Sequence, residues 1–171
     1  MALKILGDEP RYLETESEMH QYLDSVFFEG SHSECFANVD FQVVQNASAD
    51  RIAHNLTSVP DNVLAIGIDT STGYGGILWY CDGEMVNRVA GSSGDDVARN
   101  AWVSLSEKPP ETDPRVLCDP SCPSFFDRIS TLPLPVVRAT VETYFREGSG
   151  FRPRLIQWTK GHFTGELYTE C

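Results

Sequence analysis

The chain has 171 residues, 41% of them apolar, and a formal net charge of −12. That length suits one domain, over residues 1–171, with enough apolar mass for a core without disulfides or metal. The charge excludes a protein that holds bare nucleic acid or an anionic membrane by electrostatics, and it suits a basic partner.

Residues 3–6 read as a short first strand. A helix follows. Thr15 with Glu18 three residues later is a capping-box pattern. Met19, Tyr22, Leu23, Val26 and Phe27 then recur at helical steps on one face, and Gly30 can end the helix. Residues 39–44 form the next strand, with Phe41 and Val43 on one side. Residues 48–55 are either loop or a single helical turn. Residues 63–68 read as a strand between Pro60-Asp61 and the turn-rich run Asp69-Thr70-Ser71-Thr72-Gly73.

Residues 77–81 and 85–89 flank Asp82-Gly83-Glu84, and Asp-Gly predicts a tight hairpin because both residues tolerate positive φ. Gly73-Tyr74-Gly75-Gly76 reads as a turn. It lacks the Lys-Ser/Thr and the following helix of a phosphate loop. Residues 91–96 form a polar loop. Ala101, Val103 and Leu105 alternate as a further strand. Residues 108–133 then hold six of the ten prolines and two of the five cysteines. This Pro/Cys-rich insert predicts a long surface excursion with a short turn near Phe125 and Phe126, of a length that usually has work to do or is poorly ordered.

The last third is a helix, a glycine stop and a strand. Pro135 suits the first helical position. Leu134, Val137, Val141, Tyr144 and Phe145 share one face, while Arg138, Glu142 and Arg146 alternate in sign on the opposite one. Gly148 and Gly150 suit left-handed backbone. Pro153 discourages helix, and Leu155, Ile156 and Trp158 read as a strand. Hairpin-linked strands with two helices predict an α+β fold: a mostly antiparallel twisted sheet of about five to seven strands, with both amphipathic helices packed on one face.

No catalytic constellation emerges from these residue types, so no enzyme is expected. Cys118-Asp119-Pro120-Ser121-Cys122 places two thiols four apart, but no paired histidines complete a metal set. Neither a metal nor another cofactor is expected. Cys35 with His32 or His54, or Cys171 with His162, is the raw material of a cysteine-dependent hydrolase, an alternative that no local spacing favours. Five cysteines, an odd number, fit reduced thiols. The N-terminus lacks the apolar core of a signal peptide, and no apolar run has membrane-spanning length. A cytoplasmic protein is therefore expected, in which the glycosylation-like patterns at Asn46 and Asn55 are chance matches.

An acidic surface is the remaining candidate site. Asp69, Asp82, Glu84, Asp95 and Asp96 lie on or beside turns of the hairpin region, where they are expected to gather at one end of the sheet. Glu107, Glu111 and Asp113 follow on the next loop. Such a surface serves either solubility or a basic docking partner. Trp79, Tyr80 and Trp102 are candidate anchors if any of them faces outward, although the tryptophans fit a core better.

The final third also resembles a known family. Leu134, Pro135, Val141, Tyr144, Phe145, Gly150, Arg152, Pro153, Gln157 and Trp158 are similar to the helix, glycine stop, Arg-Pro and Gln-Trp closure of the first class of the Imm immunity proteins of bacterial polymorphic toxin systems. The helix at residues 15–27, the strand and Gly-containing hairpin at residues 64–91, and Asn100-Ala101-Trp102-Val103 resemble earlier parts of that family. The Pro/Cys-rich insert departs from it over residues 108–130. The resemblance implies no catalysis. It implies a protein that binds a co-encoded toxin domain, often a nuclease or a nucleic-acid deaminase, and blocks it. A toxin that attracts phosphate is basic, so an acidic protein can cover its active site without touching nucleic acid itself. A generic acidic interaction module is the other alternative.

Overall fold

A computed structural model describes residues 1–7, 9–28, 36–47, 49, 61–82, 85–86 and 100–168. Its strands are β1 (Ala2–Ile5), β2 (Arg11–Leu13), β3 (Phe36–Val44), β4 (Asn62–Asp69), β5 (Tyr74–Cys81), β6 (Ala101–Leu105), β7 (Leu117–Asp119), β8 (Ser124–Phe125), β9 (Leu132–Pro133) and β10 (Gln157–Gly161). Its two long helices are α1 (Glu16–Phe28) and α2 (Leu134–Glu147). Eight strands form one antiparallel sheet in the order β10-β6-β5-β4-β3-β1-β2, with β9 beside the start of β5. The α+β class is as expected. The strand count exceeds the expectation because β2 and β9, of three and two residues, are too short for periodicity to register.

Alternation along the strands divides the sheet into two faces. Leu3, Phe41, Val43, Leu64, Ile66, Ile68, Ile77 and Trp79 point to one face and join Met19, Leu23 and Phe27 of α1 with Val137, Val141, Tyr144 and Phe145 of α2 in the main core. The α1 cap has the expected reciprocal form. The Glu18 N–H donates to Thr15 Oγ1 at 3.2 Å, and the Thr15 N–H donates to Glu18 Oε2 at 2.9 Å. Helix α2 ends at Gly148, whose φ of 57° is left-handed and whose N–H donates to the Tyr144 carbonyl. Arg138 ties the two helices together, reaching Asp24 at 2.6 Å and Glu142 at 2.9 Å.

The second face carries a smaller core of Leu78, Ala101, Val103, Val116 and Phe126. Here the expectation for residues 108–133 needs correction. Far from staying out as a surface excursion, the segment lies down on the sheet and buries Val116 and Phe126 there. Paired glycines make room for it. Gly67 stands opposite Gly76 in the β4–β5 ladder. A methyl group on Gly67 would lie 2.1 Å from the Leu117 carbonyl oxygen, and one on Gly76 would lie 2.3 Å from the Phe126 ring. The sequence Gly73-Tyr74-Gly75-Gly76 is therefore mostly strand, and only Gly73, at φ 78°, serves the turn.

Two further expectations are corrected. Met85 and Val86 are helical, so no hairpin strand begins there; Gly83, Glu84 and residues 87–89 lie outside the described residues. Met85 is fully buried against the main core, and that burial outweighs strand pairing. At the other end, Arg154 and Leu155 form a turn, and the strand starts at Gln157. The indole of Trp158 donates to the Pro153 carbonyl at 2.7 Å, which holds the chain bent, and Leu155 is 52% exposed. Gly30 and most of residues 48–55, including Asn55, lie outside the described residues, as do residues 91–96.

Candidate partner-binding cleft

Strict alternation in β3 and β5 puts Val39, Phe41, Trp79 and Cys81 under the helices. The same alternation turns Asn38, Asp40, Leu78 and Tyr80 to the second face. There they floor a cleft of about 420 Å³, walled by Cys118, Asp119, Pro120 and Ser121 on one side and Phe163 on another. The wall is anchored by Asn38, whose side-chain amide donates to the carbonyls of Leu117 and Cys118 at 3.0 and 2.9 Å. Asp119 is fixed by its own turn, accepting from the Ser121 N–H at 2.7 Å. Phe163 is 64% exposed and meets Tyr80 edge to face, with ring centres 5.1 Å apart.

The cleft is electrically one-sided. Asp40 is exposed at the mouth of the cleft, yet partial loss of water to the walls raises its carboxyl above its ordinary range, and the Asp119 charge adds to this. Burial, then Asp40, raises the Tyr80 phenol. Burial, then Asp119 and Asp40, pushes the Cys118 thiol up to about 12. Among the described residues the Asp40 carboxylate and the Tyr80 hydroxyl have no hydrogen-bond or ion-pair partner. No cluster of three or more His, Cys, Asp or Glu suited to a metal ion occurs among the described residues.

The acidic residues expected to gather do not all do so. Asp69 is only 2% exposed, and its carboxylate accepts from the N–H and hydroxyl of Ser71, so it builds the β4–β5 turn. Asp82 follows β5 at its opposite end, roughly 25 Å away by strand length. An antiparallel hairpin that turns at residues 69–73 forces that separation. Glu107, Glu111 and Asp113 are exposed. Glu107 accepts from the Gln157 side chain at 2.9 Å, and Asp113 accepts from the Arg115 N–H. Glu84, Asp95 and Asp96 lie outside the described residues. Of the candidate anchors, Trp79 is fully buried and Trp102 packs on the main core, while Tyr80 reaches the cleft.

The residues that carried the resemblance form a separate structure on the helix side. The Arg152 guanidinium stacks on Trp102 at 3.9 Å and lies 5.9 Å from Trp158. The Trp79 indole donates to the Gly150 carbonyl at 3.1 Å. Pro153 is buried, Phe145 lies in the core, and Pro135 sits in the first turn of α2, one residue later than expected.

Residues 7–160 match the model of the family described as immunity protein Imm1. The chain belongs to the Imm1 immunity protein family. The comparisons with curated proteins and with solved structures gave no match. Membership of the Imm1 family implies binding to a toxin partner. Sequence reading missed Asp40, Asp119 and Phe163. Asp40 was legible in principle, as the charged residue between Val39 and Phe41 on a strand with one buried face. Asp119 carries a sequence signal only as part of Cys118-Asp119-Pro120-Ser121-Cys122, and Phe163 carries no pattern.

Proposed function

We propose that this Imm1 protein neutralises a cognate polymorphic toxin domain by forming a tight one-to-one complex that covers the toxin's active site. The observation that carries this reading is the family match over residues 7–160. The net charge of −12 supports a basic partner, and a nuclease or nucleic-acid deaminase has such a surface because it must attract phosphate. Charge complementarity speeds the encounter and favours the right partner. In this reading the protein acts as a binder rather than a catalyst, works in the cytoplasm and uses no cofactor. Asp82, Glu84, Asp95, Asp96, Glu107, Glu111 and Asp113 contribute to the acidic surface. No helix among the described residues is long and apolar enough to cross a membrane.

Co-expression tests this. The toxin domain encoded by the adjacent gene should stop growth alone and lose that effect beside this protein. Equal killing with and without the protein would sink the proposal.

The cysteine-hydrolase alternative gains nothing from Cys81 or Cys118, and its own candidates Cys35, Cys171, His32 and His54 lie outside the described residues. Catalytic cysteines have depressed pKa values. Burial pushes Cys81 up to about 11 and Cys118 up to about 12.

A further inference from the structure

Three features of the cleft point to one kind of guest. It is concave, with a volume of about 420 Å³ that suits one long side chain rather than a flat surface contact. Its charged groups are both anionic, the Asp40 and Asp119 carboxylates, its lining contains no Lys or Arg, and the Tyr80 and Ser121 hydroxyls add neutral polar groups. One wall is an exposed aromatic ring, Phe163. Carboxylates beside aromatic faces match a planar guanidinium, which donates in a fork and stacks. The chain uses that chemistry elsewhere, with Arg152 on Trp102 and with Arg115 over Phe125 at 4.2 Å.

We propose that this cleft receives an arginine side chain of the toxin domain, with its guanidinium between the Asp40 and Asp119 carboxylates and against the Phe163 ring. The proposal rests on the immunity reading above. It makes the second face of the sheet the docking face and leaves the helix layer outside the interface. The carboxylates gain the counter-ion they lack among the described residues, and the covered aromatic ring loses its contact with water. An arginine anchor in a desolvated pocket is a common centre of protein interfaces.

The test is affinity for the catalytically inactive toxin domain encoded by the adjacent gene, measured by calorimetry on the full chain. Asp40→Lys fills the cleft with the chain's own cation and should weaken binding by about tenfold or more. Phe163→Ala, at an exposed position that spares the fold, should weaken it by a similar factor. Glu147→Lys makes the same change of charge on the exposed end of α2 and should change it by less than about threefold. Equal effects of Asp40→Lys and Glu147→Lys, with Phe163→Ala neutral, would overturn the proposal while leaving the immunity reading intact. A free protein that is dimeric until Asp40→Lys makes it monomeric would assign the cleft to a second copy and overturn the proposal too. No complex with the unaltered chain would sink the immunity reading itself, and this inference with it.

Discussion

The guanidinium carbon of Arg152 lies 3.9 Å from the centre of the Trp102 ring. Burial lowers the Arg152 pKa, and one of its terminal nitrogens has no hydrogen-bond partner among the described residues. The stack is therefore its main compensation for lost water. Lysine keeps the charge but loses the planar face. Arg152→Lys should cost about 1 kcal/mol, read as a lower urea midpoint at unchanged slope. It should leave toxin binding unchanged, because the stack faces the helices and the cleft does not. A variant as stable as the parent would show that the stack contributes nothing.

Asn62 joins the sheet to α2. Its side chain accepts from the Val43 N–H at 2.9 Å, donates to the Val43 carbonyl at 3.1 Å, and accepts from the Tyr144 hydroxyl. Asn62 and Tyr144 are each 1% exposed. Asn62→Ala strands several buried polar groups at once and should cost about 3 kcal/mol. Tyr144→Phe removes a single donor and should cost about 1 kcal/mol. Chemical denaturation gives both values. Equal losses would mean that the tyrosine hydroxyl, rather than the backbone bonds, holds the site.

Gly76 is a test of how residues 108–133 sit on the sheet. A methyl group there meets the Phe126 ring at 2.3 Å, so one of them must move. Gly76→Ala should cost about 1–3 kcal/mol as overpacking. Combining it with Phe126→Ala should cost less than the sum of the two single changes, since the clash disappears with the ring. Strict additivity in a double-mutant cycle would place Phe126 away from Gly76 in solution.

These residues also show what periodicity can and cannot reveal. Met19, Leu23 and Phe27 of α1 and Val137, Val141 and Tyr144 of α2 were legible because a buried helix face repeats within one element. The longer strands β3, β4, β5 and β6 were legible in outline, down to the face of Phe41 and Val43. The contact of residues 116–126 with the second face was not. It depends on Gly67 meeting Gly76 across a ladder, and register between strands is a tertiary property. The Asp82-Gly83 signal marked the end of β5 but not the helical residues after it, because burial of Met85 is decided by the distant core. The cleft escaped sequence reading for a related reason. Asp40, Asp119 and Phe163 come from three distant parts of the chain, and no local spacing connects them.

The thiols should differ sharply in reactivity. Cys118 and Cys81 are raised to about 12 and about 11, chiefly by burial, so almost none of either is thiolate at neutral pH. Cys122 is exposed. Iodoacetamide labelling of the native protein, read by peptide mass spectrometry, should modify Cys122 well before Cys81 or Cys118. Early modification of Cys118 would mean that the wall of the cleft opens in solution, and it would revive the case for thiol chemistry.

The cleft should lower the stability of the free protein, and Asp40 is where this can be measured. Its carboxyl is raised by its surroundings first and by Asp119 second; the other titratable groups lining the cleft, Tyr80 and Cys118, stay neutral across the carboxylate range. A folded-state pKa above the unfolded one means that the fold binds the proton more tightly. The stability contributed by this group is then complete below the unfolded value and is lost as pH rises through the folded value. At neutral pH the charged carboxylate therefore opposes folding, but only weakly, because Asp40 is exposed and water screens it; Asp40→Asn should melt at a slightly higher temperature than the parent. The gap should shrink as pH falls and vanish in acid, where both side chains are neutral. The same substitution should weaken toxin binding, since a neutral amide cannot pair with a guanidinium. Thermal melts across a pH series, alongside calorimetry with the toxin domain, separate the two effects. A variant that melts lower at neutral pH would show that Asp40 has a stabilising partner in the free protein, and a gap that persists in acid would show that charge is not its cause.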